Sequence, residues 1–219
     1  MRFAWLLGAY FISRAFFLAW NFSLFQNDPT LEIVQAFLYG IKFDIAAIFF
    51  SNAILILLWM LPARILSRPK VAFLDRALFA VINFAAIGVN FVDVEFVRFI
   101  GKRLSFEYFF LSQDLEQQSF SIILFYWKFL LALLIVIGVI VWKYPKIPRS
   151  SKLEGWVGGA IWRLVTIALV ILGMRGGFGF KPIHPMDAYF VSKPEIGLLT
   201  LNTPFNIIKS RPDGEVVKR

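Results

Sequence analysis

Five long apolar runs, separated by short polar stretches, organise the chain. The first covers residues 3–25 and is broken only by Arg14. The second covers 36–61, is interrupted by Lys42 and Asp44, and is closed by Pro62. The third, 71–96, carries Asp75 and Arg76 near one end and Asp93 and Glu95 near the other. The fourth, 120–142, contains Lys128, and the fifth, 156–174, contains Arg163. At about 1.5 Å per residue, each run predicts a helix able to cross a hydrocarbon core of about 30 Å. A cleaved signal peptide would need a shorter apolar core and small residues at a cleavage site. The first run leads instead into Gln26-Asn27-Asp28-Pro29, which predicts a retained span. No repeat at a fixed period is visible.

Two segments are too polar to span. Residues 104–118 place Phe106, Phe109 and Phe110 near Glu107 and Asp114, which predicts an amphipathic helix lying in the outer interface. The tail from 175 to 219 is punctuated by Pro182, Pro185, Pro194, Pro204 and Pro212. It is too short to bury a core of its own. It reads as an extracytoplasmic linker that packs on a membrane domain of residues 1–174 and leads elsewhere.

Composition agrees with this pattern and sharpens it. Of 219 residues, 59% are hydrophobic and 18% aromatic, with a mean hydropathy of +0.71. Soluble domains run at about 45–50% apolar, and 17% charged residues are too few to cover a soluble surface. An ordinary soluble globule and a disordered chain are both excluded. The net charge of +9 gains meaning once it is sorted by loop. Arg64, Arg68, Lys70 and Arg76 face only Asp75 between runs two and three, and Lys143, Lys146, Arg149 and Lys152 face only Glu154 between runs four and five. The two other loops are nearly balanced. This alternation predicts an all-α membrane protein with five transmembrane helices, N-terminus inside and C-terminus outside. With no cysteine and His184 as the one histidine, disulfides, thiolate catalysis and the usual zinc sites have no residues to build them.

A charge in the bilayer costs about 2.5–3.5 kcal/mol on insertion scales, so each one needs a partner or an exit. Arg14 lies eleven residues before Phe25 and Asp44 eight after Ala36, on helices running in opposite directions. Both counts give a depth of roughly 12–16 Å below the outer surface, which predicts an Arg14–Asp44 contact with Lys42 snorkelling beside it. That contact is either a structural ion pair or a polar niche for an anionic lipid headgroup. Asp93, Glu95 and Arg98 form a second cluster, with Lys128 the nearest candidate partner; Asp93 and Glu95 fall on different helix faces. Paired carboxylates can serve as acid and base, but no nucleophile or ligand set accompanies these. Arg163 reads as a snorkelling residue, Gly155 and Gly159 as a G-x-x-x-G close-packing signal. Arg175, before Gly176-Gly177, either holds a phosphate or marks the membrane boundary. His184 reads as a surface residue.

Four stretches give the chain a resemblance: FLYGIKFD at 37–44, NFVDVE at 90–95 with Gly101-Lys102-Arg103 after it, RGGF at 175–178 and LNTPFN at 201–206. In order and placement they resemble the N-terminal membrane part of the lipoteichoic-acid-synthase-like phosphoglycerol transferases, within the alkaline phosphatase/sulfatase superfamily. Where Lys42 stands, that family more often has arginine. The resemblance implies a multi-pass domain in the bacterial cytoplasmic membrane, followed by an extracytoplasmic catalytic domain with a metal-bound threonine nucleophile. No residue here matches that nucleophile or its metal ligands, so Mn or Mg is implied only for the absent domain and none for this chain. The expected role is a membrane anchor that presents a phosphatidylglycerol-type lipid, with Arg14, Lys42, Asp44, Asp93, Glu95, Arg103 and Arg175 as headgroup or polar-niche candidates. The alternative is a non-catalytic lipid-binding sensor or scaffold that regulates a partner protein. A transporter is disfavoured by the lack of an inverted repeat. Nucleic acid is not an expected partner.

Overall fold

The computed structural model describes residues 2–107, the isolated positions 131, 135 and 138, and residues 156–211. Among them all regular structure is helical. The elements are α1 (Arg2–Trp20), a 3-10 turn (Phe22–Leu24), α2 (Thr30–Ser51), α3 (Ala53–Trp59), α4 (Ala63–Leu66) and α5 (Pro69–Ile100), then α6 (Trp156–Arg175), a second 3-10 turn (Pro185–Ala188), α7 (Pro194–Thr200) and α8 (Thr203–Lys209). The expected span at 120–142, Lys128, the loop basic at 143–152 and nearly all of the predicted interfacial helix lie outside the described residues.

Among the described residues three helices, α1, α2 and α5, are long and apolar enough to cross a membrane. Their boundaries follow local chemistry. Pro29 precedes α2, and Glu32 in its first turn suits the positive end of the helix dipole. α5 opens on Pro69 and closes at Gly101, whose φ of 71° supplies the left-handed cap and whose N–H donates to the Val97 carbonyl. α6 ends in a Schellman turn: Gly177 N–H donates to Leu172 O and Gly176 N–H to Gly173 O, with φ 125° and 80° at the two glycines.

The second apolar run is not one straight helix. α2 starts six residues earlier than the run, and the helix breaks at Asn52 before α3 continues it. An amide pair sits at the break: Asn52 Nδ2 donates to Asn83 Oδ1 of α5 at 3.1 Å, and Asn83 Nδ2 returns a bond to Asn52 Oδ1 at 2.9 Å. Both side chains are buried, and pairing them removes the penalty that a lone amide would carry there. α5 runs past the expected 71–96 at both ends because neither end meets a breaker before Arg68 or Gly101.

Two polar belts bracket the bundle. At the end where α1 begins, Asp75 Oδ2 lies 3.4 Å from Arg2 Nη1, Asp75 Oδ1 accepts from Trp59 Nε1, and the Arg2 guanidinium sits over the Trp59 ring. At the other end Trp20 Nε1 donates to Glu95 Oε1 at 2.7 Å. Eighteen residues separate Arg2 from Trp20, and twenty separate Asp75 from Glu95. At 1.5 Å per residue the belts stand about 27–30 Å apart, close to the thickness of a hydrocarbon core.

Between the belts lies the core, and the polar-looking tail is part of it. Ile183, Ala188, Leu201 and Phe205 pack with Tyr10, Phe43, Ile87 and Phe91. Ile196, Leu198 and Leu199 pack with Phe17, Phe25 and Val94. Residues 183–206 are therefore packed onto the helices of residues 2–100. Their prolines and polar residues dilute the local hydropathy, yet an apolar side chain from nearly every turn is buried.

Candidate functional site

The site is a buried polar centre joining α1, α2, α5, the chain after α5 and the start of α8. Arg14 Nη2 lies 2.6 Å from Asp44 Oδ1, both side chains almost wholly buried. This is the contact expected from the opposed helix counts. The same guanidinium donates to two α2 carbonyls, Phe37 O at 3.3 Å from Nη1 and Gly40 O at 3.2 Å from Nη2. Gly40 makes this approach possible: a Cβ there would stand 1.4 Å from Arg14 Nη1. The guanidinium thus occupies the volume where any other residue would place its side chain. Arg14 is six residues before Trp20, about 9 Å below that belt, so the pair sits shallower than the sequence count gives.

The second ion pair uses Arg103, one of the candidates from sequence, while Lys128, the partner expected for this cluster, lies outside the described residues. Asp93 pairs with Arg103, at 2.6 Å from Oδ2 to Nη1, and not with Arg98. Gly101 turns the chain back at the end of α5, which returns Arg103 to the helix it has just left. Asp93 Oδ1 meanwhile accepts from Leu104 N–H at 2.6 Å. Arg103 also donates from Nε and Nη2 to Leu198 O, at 2.8 and 2.6 Å, and its guanidinium carbon lies 3.9 Å from the centre of the Phe17 ring. Glu95 faces elsewhere, toward Trp20 and, at 3.5 Å, Arg98.

The two pairs are tied together by residues the sequence reading did not single out one by one. Asn202 caps α8, its Oδ1 accepting from Phe205 N–H at 2.9 Å, while its Nδ2 donates to Asp44 Oδ1 at 2.9 Å. Thr203 Oγ1 donates to Asp93 Oδ2 at 2.9 Å, and Thr203 N–H donates to Asn90 Oδ1 at 3.0 Å. Asn206 Nδ2 closes the set on Leu104 O at 2.9 Å. The Asn-Thr-Pro start of a helix was the available signal, since Asn is a strong N-cap and Pro suits the first turn.

The remaining candidates are placed apart from this centre. Lys42 is half-buried with its ammonium over the rings of Tyr39 and Phe43, 5.2 and 5.3 Å from their centres, so it does not join the Arg14–Asp44 pair. Arg175 donates to Gly179 O from Nε and Nη2, at 3.2 and 3.1 Å, and to Phe180 O. Arg163 Nε donates to Met60 O at 3.2 Å, so it caps the end of α3. Gly159 meets nothing closer than Arg163 Nη1 at 3.9 Å, whereas Gly173 lies against the Phe49 ring, where a Cβ would come within 2.2 Å. His184 is exposed, with its Nδ1 accepting from Met186 N–H and its own N–H donating to Asp187 Oδ2.

Chemically, the centre is dominated by its two ion pairs, and one donor in it, Asn90 Nδ2, is buried without a partner. Two carboxylates face two guanidiniums, and the donors around Asp44 and Asp93 include an amide, a hydroxyl and a backbone N–H. Such a shell holds the two carboxylates in place. Among the described residues no group of three or more His, Asp or Glu side chains is positioned for a metal.

Outside the bundle core, Lys193 bridges Asp28 at 3.0 Å and Glu32 at 3.3 Å, clamping the start of α7 to the α1–α2 connection. The hydrogen bond that Lys193 donates to Asp28, with help from Glu32, raises its pKa above its ordinary 10.5. Burial raises that of Tyr189, whose ring packs on Gly197. Because the folded-state value of Lys193 is the higher one, its contribution is complete below the ordinary pKa and disappears as pH rises through the folded value. Lys193→Ala should therefore melt earlier than the parent at neutral pH, with the gap closing in strongly alkaline buffer; a gap that widens there would contradict the assignment.

Compared with protein-family models, curated proteins and solved structures, the chain matches none of them.

Proposed function

We propose that the chain is a membrane-anchoring domain of the phosphoglycerol-transferase-like kind, with five spans, its N-terminus cytoplasmic and residues after 175 on the opposite side. In this reading it sits in a bacterial cytoplasmic membrane and presents phosphatidylglycerol-type lipid to an extracytoplasmic sulfatase-like domain on which the metal chemistry resides. One observation carries the reading: the segment 198–206 is fastened inside the helical bundle through both buried ion pairs. A segment held this way fixes the position of whatever is joined to it, which a freely moving linker would not do.

The same bonds support anchoring over lipid sensing. Arg14 and Arg103 direct their donors at protein carbonyls and carboxylates, so a headgroup would have to displace those partners first. The test is to reconstitute the purified chain in phosphatidylglycerol nanodiscs with Mn²⁺ or Mg²⁺. The expected result is no glycerol-phosphate transfer by this chain, and unchanged headgroup preference in Arg14→Ala molecules that remain folded. Turnover by the chain alone would overturn the anchor reading. Selective loss of phosphatidylglycerol from folded Arg14→Ala would establish the sensor instead.

A further inference from the structure

Arg14, Arg103, Arg163, Arg175 and Lys193 each meet a carboxylate or a carbonyl. Lys42 does not. It is half-buried on α2, and among the described residues it makes no hydrogen bond and no ion pair. What it has are two rings: its ammonium lies 5.2 Å from the centre of Tyr39 and 5.3 Å from that of Phe43. Ring faces attract the charge, but they leave the three N–H donors of the ammonium free for stronger acceptors. A cation held within a membrane-crossing helix calls for a counter-charge.

The surroundings say where that counter-charge comes from. Helical side chains lean toward the N-terminus, which for α2 is the outer end, so the ammonium rises from residue 42 to the level of Tyr39, one turn above. On that turn its two neighbours are Leu38 and Tyr39. Tyr39 packs on Phe190 of the tail, with ring centres 4.6 Å apart, while Leu38 is 64% exposed. Ile41 is exposed on the same side of α2. Two turns below Lys42, Phe49 packs on Gly173 of α6. α6 ends at Arg175, only about 3 Å beyond that glycine, whereas Lys42 stands about 10 Å above Phe49. No helical turn of α6 therefore reaches the flank of α2 at Lys42.

The chain beyond α6 is polar at this level. The N–H groups of residues 178–181 have no acceptor among the described residues, and Lys181, His184 and Asp187 are exposed. Such groups need water or lipid headgroups around them. Lys42 thus stands where a hydrated loop meets an apolar helix face, with its ammonium pointed at the hydrated side.

We propose that Lys42 binds a phosphate group beside Tyr39, and that an anionic phospholipid carries it there, with an acyl chain against Ile41 on the exposed side of α2. This assignment rests on the anchoring reading and deepens it: the lipid is received on the flank of α2, while the buried centre of Arg14, Asp44, Asp93 and Arg103 stays structural.

The chain contains no cysteine, so Leu38→Cys takes a single fluorophore beside Lys42, and Val81→Cys, exposed on α5, takes one elsewhere on the bundle. The full chain in phosphatidylcholine vesicles is then probed with traces of nitroxide-labelled phosphatidylglycerol or nitroxide-labelled phosphatidylcholine. At 38 the anionic lipid should quench about fivefold more effectively, the preference that one lysine near a membrane surface supports. At 81 the two lipids should quench alike. Lys42→Gln should erase the preference at 38, and Lys42→Arg should retain it. A preference that survives in folded Lys42→Gln, or is missing although both labels are quenched by lipid, would overturn the site and leave the membrane placement standing. If neither lipid quenches either label, the placement itself fails. Inorganic phosphate at matched ionic strength separates the sources. It should leave the preference at 38 in place; loss of the preference would keep phosphate as the ligand and overturn the lipid as its carrier.

Discussion

Replacing Asp93 with alanine should destabilise the bundle by about 3–5 kcal/mol, the range seen when one partner of a buried ion pair is removed. The large effect has an identifiable source. Arg103 would keep its charge in a site where its guanidinium is only 6% exposed, and Leu104 N–H and Thr203 Oγ1 would lose the oxygens they now meet. Removing both charges, as Asp93→Leu with Arg103→Met, should recover part of the loss, because the uncompensated charge is gone. Recovery should stay incomplete, since Leu198 O would lose both of its bonds from Arg103. Unfolding of detergent-solubilised protein, followed by tryptophan fluorescence, gives the double-mutant cycle. Additive losses in the two single variants would contradict the pairing.

Gly40→Ala should be the second large effect, although it adds only one methyl group. That methyl would stand where Arg14 Nη1 now lies, so the guanidinium must leave α2. Asp44 then keeps Asn202 as its partner in the centre, and the expected cost is about 3 kcal/mol, near that of breaking the pair outright. Two comparisons isolate the cause. Gly8→Ala, at a position with open space around the new Cβ, should be neutral or stabilising by up to about 1 kcal/mol through helix propensity. In a background lacking both charges, Arg14→Met with Asp44→Leu, Gly40→Ala should also become harmless. If Gly40→Ala is equally damaging there, the glycine is needed for helix packing and not for seating Arg14.

The contrast between the two ion pairs explains how much of the centre could be read from sequence. Arg14 and Asp44 sit inside apolar runs whose polar residues are few, so helix counting left them little choice of partner. Asp93 sits near a helix end with Glu95, Arg98, Lys102 and Arg103 close by in sequence, and counting along one helix cannot choose among them. The choice is made by the left-handed turn at Gly101, a backbone event that swings Arg103 inward. The asparagines were harder still. Asn52, Asn83, Asn90 and Asn202 carry no charge and barely interrupt a hydropathy profile, yet they join the α2–α3 break to α5, join α5 to α8 and cap α8. Which residues of the tail are buried was not legible, for a related reason. Hydropathy averages over a window, whereas burial is decided residue by residue, and Ile196, Leu199, Leu201 and Phe205 fall on the inner side of a proline-rich segment.

Helical class and the membrane-crossing length of α1, α2 and α5 needed no such detail, because they depend on the summed apolar content of long runs. The turn after Arg175 lay between these extremes. Two glycines after an arginine indicated an unusual turn, but only the folded loop assigns the guanidinium to its own carbonyls.

The fastening of residues 198–206 inside the bundle is tested most directly by amide hydrogen exchange on the protein in lipid nanodiscs. Thr203 N–H donates to Asn90, Phe205 N–H to Asn202 and Leu201 N–H to Gly197, all in buried surroundings. Their exchange should be as slow as that of the α2 amides around Asp44, and should accelerate in Asp93→Ala. Exchange at the rate of an exposed linker in the unsubstituted protein would contradict the fastening and the anchoring role built on it.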